Sequence, residues 1–337
     1  MNASRCPWCV VVIGLSSNGE SGFYWVSKSI SYHDMKASHH LHRFSVTLPG
    51  PLDIPRSFDV FRRSGDDRID RWDGHVLVRT TRIDGQIVPY SCHMTGDIDT
   101  PSMSVTVAQG TPVVAIDAVV RHMFVTAPAA LETLMSHDPQ IAELETRFRG
   151  LRPVLQAEPF TAIVRSITAQ QVNLKWAATT RRRLAEGYGR RYALGSHEVI
   201  ALEPERLAAA SVEDLRALQF TTRKSEYLIG LAQAVVDGAL DLKTLQQATD
   251  AEVIERLTAL RGLGRWTAEW FLARALGRPR VVAGDLGVRK AIGAIYLQGR
   301  MPSETEVRDC TAHWGAAAGV AQQLVLQTLV GKNAGGD

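Results

Sequence analysis

The sequence predicts an α+β protein, in which a small N-terminal antiparallel α/β domain precedes a mainly α-helical domain. Short segments between residues 42 and 107 alternate apolar and polar residues, which is the period of a β-strand. From about Ala127 onward the apolar residues adopt helical spacing, with short breaks rich in Gly and Pro. The change of period indicates a domain boundary near residue 126.

The N-terminal domain is predicted at 42–126. Its strand signals lie in Phe44–Leu48, Val76–Val78 and Met103–Val107. Pro112–Phe124 is predicted to be a helix that packs on this sheet, with Thr111 as its N-cap. These elements indicate a small antiparallel sheet with a helix on one face.

The helical domain is predicted at 127–335. Its helices are expected at Phe160–Gly187, Val212–Leu218, Lys224–Asp237, Ala251–Leu260, Arg265–Leu276, Leu286–Leu297 and Ala317–Leu329. A helix-hairpin-helix unit is placed at 250–277, where Thr249 and Glu252 have the spacing of a capping box.

Residues 1–41 are expected to be a leader that is disordered or a non-native, over-extended start. They contain Ser and Gly clusters, lack a sustained period, and include a second methionine, Met35. Cys6 and Cys9 with nearby histidines could form a zinc set, but the loose histidine spacing argues against it. We expect the chain to be active without the residues before Met35.

The composition is that of a soluble globular protein, with 45% hydrophobic residues in 337. The apolar run Val10–Leu15 is far shorter than the roughly 20 residues that span a bilayer. The four cysteines are too scattered for a disulfide framework. We therefore expect a cytoplasmic protein with no membrane partner.

The basic residues cluster, although the net charge is only +3. Arg256–Lys290 holds eight basic residues against two acids, and Arg181–Arg191 holds five arginines against one glutamate. Such tracts are typical of phosphate binding, although solvated helix faces would look the same.

The predicted hairpin turn is Gly262-Leu263-Gly264, between two helices. Glycines allow close approach of the backbone to a DNA strand, and the next helix presents free N–H groups to a phosphate. The predicted phosphate-binding residues are Gly262, Leu263, Gly264, Arg265 and Thr267.

Asp285 follows the second helix of the hairpin, at a loop-to-helix junction. An aspartate there is usually only a helix cap. However, a helix, Leu-x-Gly-Leu-Gly, a second helix, a loop of small residues and then Asp together resemble the helix-hairpin-helix/Gly-Pro-Asp superfamily of DNA glycosylases.

Within that superfamily the chain is most similar to the 3-methyladenine DNA glycosylase II family, from about residue 158 to 295. The similarity includes Ser166–Val172 and Gly264–Trp270. The chain departs from the family's aromatic-rich stretch near the end, where Trp314 is followed by Gly and Ala. The late pocket aromatic is missing, and Leu326 lies nearest to its place.

The resemblance implies a role for each site residue. Asp285 would be the catalytic carboxylate that stabilises positive charge on the deoxyribose. Gln171, with Gln170 beside it, would be the wedge that enters the DNA when the damaged nucleotide flips out. The base pocket would consist of Trp266, Trp270 and Leu326, and the alternative for the two tryptophans is an ordinary core pair.

The resemblance also implies the type of reaction. Bifunctional relatives carry a Schiff-base lysine where this chain has Trp266, and iron–sulfur relatives end in four close cysteines, whereas Cys310 stands alone in this half. We therefore expect a monofunctional glycosylase with no required cofactor and no cluster. A monovalent cation is implied at the main-chain carbonyls of Thr258, Leu260 and Leu263.

The resemblance implies hydrolysis of alkylated purines, such as 3-methyladenine and 7-methylguanine, from double-stranded DNA. It also implies a nucleoid-associated monomer. Two alternatives remain open. One is a helix-hairpin-helix protein that binds DNA without catalysis, and the other is a glycosylase for deaminated or oxidised bases. The range of excised bases and any inducible expression are not encoded in these motifs.

Overall fold

The computed structural model describes residues 40–330. Most of the predicted leader lies outside these residues. Cys6 and Cys9, which were considered as zinc ligands, lie outside them as well. Leu41 already belongs to the first strand.

The N-terminal part is a five-stranded antiparallel sheet with strand order β1-β5-β4-β3-β2. Its strands are β1 Leu41–Thr47, β2 Arg71–Trp72, β3 Val76–Ile83, β4 Gln86–Met94 and β5 Ser102–Ala108. One face is buried, since Val46, Leu77 and Val105 are fully inaccessible. Helices α1 (Ile54–Arg62) and α2 (Val113–Arg121) contribute residues to the same core. The alternation predicted in β1 and β5 is confirmed, whereas in β3 Leu77 enters this core and Val76 and Val78 do not.

The remaining elements are mainly helical. They are α3 Pro128–His137, α4 Pro139–Arg147, α5 Pro159–Ala169, α6 Leu174–Tyr188, β6 Gly189–Leu194, β7 His197–Leu202, α7 Pro204–Ala208, α8 Val212–Ala217, α9 Thr222–Val236, α10 Asp250–Thr258, α11 Arg265–Arg274, α12 Leu286–Tyr296, α13 Glu304–Thr311 and α14 Ala318–Gln327. The helices enclose two apolar cores. One surrounds α5, α9 and α11, and the other joins α3, α4, α12 and α14. The α+β class is therefore confirmed.

The structure corrects several boundaries. The single helix expected at Phe160–Gly187 is two helices, because Gln171 takes a left-handed φ of 55° and the Asn173 side chain caps α6 by accepting from the Trp176 N–H. Thr111 is not the cap of α2. Pro112 holds that position and makes no side-chain cap bond.

The β6–β7 hairpin was not predicted, so strand structure does not end at Ala127. β4 was also missed, although Asp84-Gly85 before it is a recognised two-residue hairpin turn with positive φ at both positions.

A buried ionic cluster joins the sheet region to the helices on either side of the α5–α6 turn. Arg165 of α5 donates to Asp67 and Asp70, at 2.6 Å in each case, and Arg181 of α6 donates to Asp67 at 3.0 Å. Arg79 of β3 completes the cluster by donating to Asp70 at 2.7 Å. The turn between α5 and α6 is therefore held at both ends by carboxylates from the N-terminal part of the chain.

Within residues 40–330, no helix is both long and apolar enough to cross a bilayer.

Candidate active site

The helix-hairpin-helix turn lies between α10 and α11. The predicted capping box is present, because Thr249 and Glu252 bond each other's backbone N–H groups at the start of α10. Gly262 has a φ of 91°, and a Cβ there would fall 2.2 Å from the Tyr227 ring. Only glycine fits this position, so the conformation of the turn is fixed by its packing on Tyr227.

The N-terminus of α11 is open. Gly264 is its N-cap, and within the described residues no side chain caps the first turn. A Cβ on Gly264 would meet nothing within 4 Å, in contrast to Gly262. Its exposed backbone N–H groups can receive a phosphate oxygen. Thr267 as a whole residue is only 1% exposed, so the structure does not leave it open to the predicted phosphate contact.

The predicted wedge residues occupy different positions. The Gln170 side chain donates its Nε2–H to the Gly262 carbonyl at 3.0 Å, which ties the α5–α6 turn to the hairpin turn. Gln171 is exposed at the tip of the turn. Of the two glutamines, Gln171 is therefore the exposed one, and Gln170 braces the turn that carries it.

Asp285 is the N-cap of α12, and its two carboxylate oxygens have different partners. Oδ1 accepts the Val288 N–H at 3.0 Å, and Oδ2 accepts the indole N–H of Trp266 at 3.3 Å. The capping role and a possible chemical role therefore coexist, since the cap uses one oxygen and leaves the other facing Trp266. Asp285 is half-buried.

The loop that carries Asp285 is anchored at both ends. Arg278 and Arg280 both bind the Asp250 carboxylate at the start of α10, at 2.6 and 2.7 Å. The Val282 N–H donates to the buried side chain of Gln322 on α14 at 2.7 Å. The position of Asp285 is thus set by the hairpin and by the C-terminal helix. Sequence reasoning did not identify Gln322 as an anchor, because it carries no local signal.

The two tryptophans of the predicted pocket are not equivalent. Trp266 is half-buried with its N–H on Asp285, whereas Trp270 packs against the apolar core around α5, α9 and α11. The ordinary core interpretation therefore applies to Trp270. Trp266 is the aromatic ring that lies beside the carboxylate.

Leu326 does lie at the site. A Cβ built on Gly287 would be 3.0 Å from Asp285 Oδ1 and 3.2 Å from Leu326 Cδ2, so the carboxylate and the leucine methyl flank this glycine. Leu286, next to Asp285, is 57% exposed, which no local pattern in the sequence indicates.

Arg274 is the nearby positive charge. Burial lowers the pKa of Arg274 to about 10, and the negative charge of Asp285 opposes that shift. It lies two turns beyond Trp266 on α11. Arg274 belongs to the basic tract Arg256–Lys290, but it is half-buried and interacts with the charge of Asp285.

The basic tracts are only partly a DNA surface. Arg181 is buried on Asp67, and Arg278 and Arg280 are bound to Asp250. Near the hairpin turn, Arg261 is 75% exposed and pairs with Glu226 at 3.2 Å, and Arg265 is 57% exposed and pairs with Glu269 at 3.0 Å. Both guanidinium groups remain accessible to solvent despite these pairs. The local charge count therefore overstated the number of arginines available to phosphates.

The carbonyls predicted to hold a cation lie at the end of α10 and in the turn. The Leu260 carbonyl accepts the Leu263 N–H at 3.1 Å and keeps one lone pair. The carbonyls of Thr258 and Leu263 accept no hydrogen bond from any residue in 40–330. Uncommitted main-chain oxygens are suitable ligands for a hard cation, so these residues fit the implied site.

Comparison with known proteins agrees with this geometry. Residues 164–315 match the sequence profile of the family described as "HhH-GPD superfamily base excision DNA repair protein". This range includes the α5–α6 turn, the helix-hairpin-helix turn and Asp285.

Named relatives and solved structures are also similar to this chain. The chain is 28% identical over 179 residues to a DNA-3-methyladenine glycosylase of Bacillus subtilis, with 52% of this chain and 59% of the relative covered. It is 34% identical over 125 residues to DNA-3-methyladenine glycosylase 2 of Escherichia coli, with 37% and 44% covered. The chain thus spans about half the length of these curated relatives.

The solved structure of a 3-methyladenine DNA-glycosylase from Archaeoglobus fulgidus superposes with a TM-score of 0.76 at 23% identity, and covers 85% of this chain and 99% of that one. At this identity the likeness establishes the fold, including the N-terminal sheet. The resemblance to the HhH-GPD superfamily of base excision DNA repair proteins therefore extends over residues 164–315 of this chain.

Proposed function

We propose that this protein is a monofunctional DNA glycosylase that hydrolyses the N-glycosidic bond of alkylated purines in double-stranded DNA. The observation that carries the proposal is the pairing of Asp285 with Trp266 at 3.3 Å, at the exit of a helix-hairpin-helix turn. The names of the relatives support the same reaction.

Asp285 supplies the electrostatic part of the reaction. As the glycosidic bond breaks, positive charge develops on the deoxyribose, and a carboxylate nearby stabilises that charge. The bonds from Val288 and Trp266 fix the orientation of the carboxylate before the substrate arrives. Oδ2 is the oxygen that can also orient the attacking water.

DNA binding is assigned to the hairpin and the α5–α6 turn. The open N-terminus of α11 would bind a phosphate, and Gln171 would fill the gap left by the flipped nucleotide. The carbonyls of Thr258, Leu260 and Leu263 would hold a monovalent cation, whose charge would add to the attraction for phosphate.

Alkylated purines suit this site because 3-methyladenine and 7-methylguanine already carry positive charge and leave without protonation. The Trp266 face can stack on such a cationic base, with a cation–π contribution of about 0.5 to 2 kcal/mol. That energy biases selection without making it strict. With Leu326 in place of an aromatic ring, the pocket should also admit hypoxanthine or ethenoadenine at lower rates.

Single-turnover excision on matched duplexes tests the substrate assignment. We expect 3-methyladenine and 7-methylguanine to be released well ahead of uracil and 8-oxoguanine. Activity confined to uracil or 8-oxoguanine would reject the assignment, and duplex binding with no excision of any base would favour a non-catalytic DNA-binding protein.

The monofunctional reaction is tested separately. Because Trp266 stands where bifunctional relatives carry a lysine, we expect the product to be an intact abasic site. Trapping of a covalent protein–DNA adduct by borohydride at the rate of base release would contradict this.

A further inference from the structure

The first turn of α6 exposes apolar side chains beside the α5–α6 turn, which carries Gln171. Leu174 is 64% exposed and Trp176 is 39% exposed, within five residues of Gln171. Among the described residues, most other exposed large apolar side chains are isolated on the chain. Two so close together are costly unless something covers them.

The same surface carries positive charge. Lys175 lies exposed between the two apolar residues, and the Arg183 guanidinium lies 5.5 Å from the centre of the Trp176 ring. An aromatic ring next to a cation is the combination that binds nucleic acid, because the ring stacks on bases or sugars while the cation attracts phosphate.

This surface is continuous with the proposed DNA contact. Gln170 bonds the hairpin carbonyl of Gly262, and the Asn173 side chain, which caps α6, holds the Trp176 backbone. The buried pairs of Arg165 and Arg181 with Asp67 fix both flanking helices. A duplex placed against the hairpin turn and Gln171 would therefore meet a rigid first turn of α6.

We propose that Leu174 and Trp176 form a second, apolar contact with the same DNA duplex, next to the gap that Gln171 would fill. Trp176 packs on a base or deoxyribose exposed by the distortion of the duplex, and Lys175 lies near a phosphate. The inference rests on the proposed function, and it assigns to α6 a role in holding distorted DNA.

The experiment compares Trp176→Ala, Leu174→Ala and Trp176→Phe with Val114→Ala, a control at an 84% exposed position on α2. Affinity is measured for a duplex with a tetrahydrofuran abasic analogue and for the intact duplex, at several salt concentrations. Trp176→Ala should weaken binding to the abasic duplex by about 5- to 10-fold, and should weaken binding to the intact duplex by less. Trp176→Phe should retain most of the wild-type affinity for the abasic duplex. Val114→Ala should change neither affinity.

The salt dependence separates the apolar contact from a phosphate contact. Trp176→Ala should leave the slope of log affinity against log salt unchanged, whereas Lys175→Gln should shallow it by about 0.9. If Trp176→Ala binds both duplexes as tightly as the wild-type protein does, the inference is overturned, even when the wild-type protein excises bases normally. The inference would also be overturned if the wild-type protein sediments as a dimer and Trp176→Ala sediments as a monomer with unchanged DNA affinity. That result would show that a second copy of the chain covers this surface. Failure of the proposed function would instead appear as wild-type protein that excises no base.

Discussion

At the scale of single residues, the site depends on side chains that serve a structural and a chemical purpose together. Asp285 caps α12 with one oxygen and presents the other to Trp266. An N-cap bond typically contributes about 1 kcal/mol to stability. Loss of the capping bond and loss of the chemistry must therefore be separated in any mutant of Asp285.

The two glycines of the hairpin turn provide a matched pair of variants. Gly262→Ala would place a Cβ 2.2 Å from Tyr227 at a φ of 91°, so we expect a loss of about 2 to 4 kcal/mol in the free energy of unfolding. Gly264→Ala meets nothing within 4 Å and should be stable, but it should weaken DNA binding if a phosphate approaches this backbone. Denaturant unfolding and duplex affinity measure the two effects. Normal DNA affinity in a stable Gly264→Ala would argue against phosphate binding at this turn.

Sequence motifs singled out Asp285 and Leu326, which the structure places on either side of Gly287, but could not rank the paired residues. Trp266 and Trp270 share a helical face at i and i+4, so spacing alone gives them the same role. Only packing shows that Trp270 faces the core and Trp266 faces the carboxylate. Gln170 and Gln171 were equally indistinguishable until the left-handed backbone of Gln171 was known.

At the scale of elements, the arginines divide into exposed and structural sets. Arg261→Gln should shallow the salt dependence of duplex binding by about 0.9, because this side chain is 75% exposed beside the turn. Arg278→Gln should leave that slope unchanged and lower stability, because its guanidinium binds Asp250. If log affinity falls with log salt at the same slope in the wild type and in Arg261→Gln, Arg261 stays solvated when the protein binds the duplex.

The buried cluster around the α5–α6 turn predicts a dependence of stability on pH. Burial by itself would raise the pKa of Asp67, but Arg165 and Arg181 outweigh it and hold the pKa below its usual value. A carboxylate with a lowered pKa in the folded state stabilises the protein above its unfolded pKa, and this stabilisation is lost as the pH falls through the folded pKa.

We therefore expect the free energy of unfolding to fall below about pH 4 in the wild type, and more shallowly in Asp67→Asn. At neutral pH, Asp67→Asn should cost about 3 kcal/mol, because it leaves buried guanidinium charge without its partner. Denaturant unfolding from pH 3 to 7 measures both. Parallel pH profiles for the two proteins would show that Asp67 is not the titrating group.

Local sequence predicted elements better than it predicted their breaks. The helices from α8 to α14 lie within a few residues of their predicted positions, except that α13 was missed. The break at 170–173 was missed because the apolar spacing continues across it from Ile167 to Leu174. The charge count failed for a similar reason, since a sequence does not show that the partner of Arg181 is Asp67, more than a hundred positions earlier.

At the scale of the whole molecule, buried ion pairs join the N-terminal sheet to the helical part of the chain. Asp67 and Asp70 come from the N-terminal part, and Arg165 and Arg181 from the helical part. The α+β class followed from the two periodicities, but this coupling did not, because it depends on contacts between distant segments.

This coupling predicts a single cooperative unfolding transition. Residues 42–126 and 127–330 share buried ion pairs that neither part can satisfy alone, so calorimetry should give equal calorimetric and van't Hoff enthalpies. Two separate transitions would show that the ionic cluster does not bind the parts together.

The central claim is that Asp285 provides the catalytic carboxylate, and single-turnover excision by Asp285→Asn on a 7-methylguanine duplex tests it most directly. Asparagine can still accept the Val288 N–H through its side-chain carbonyl, so folding should be preserved. We expect excision to fall by at least about 100-fold, while duplex affinity stays within a few-fold of the wild type. Excision at the wild-type rate by a correctly folded Asp285→Asn protein would contradict the account.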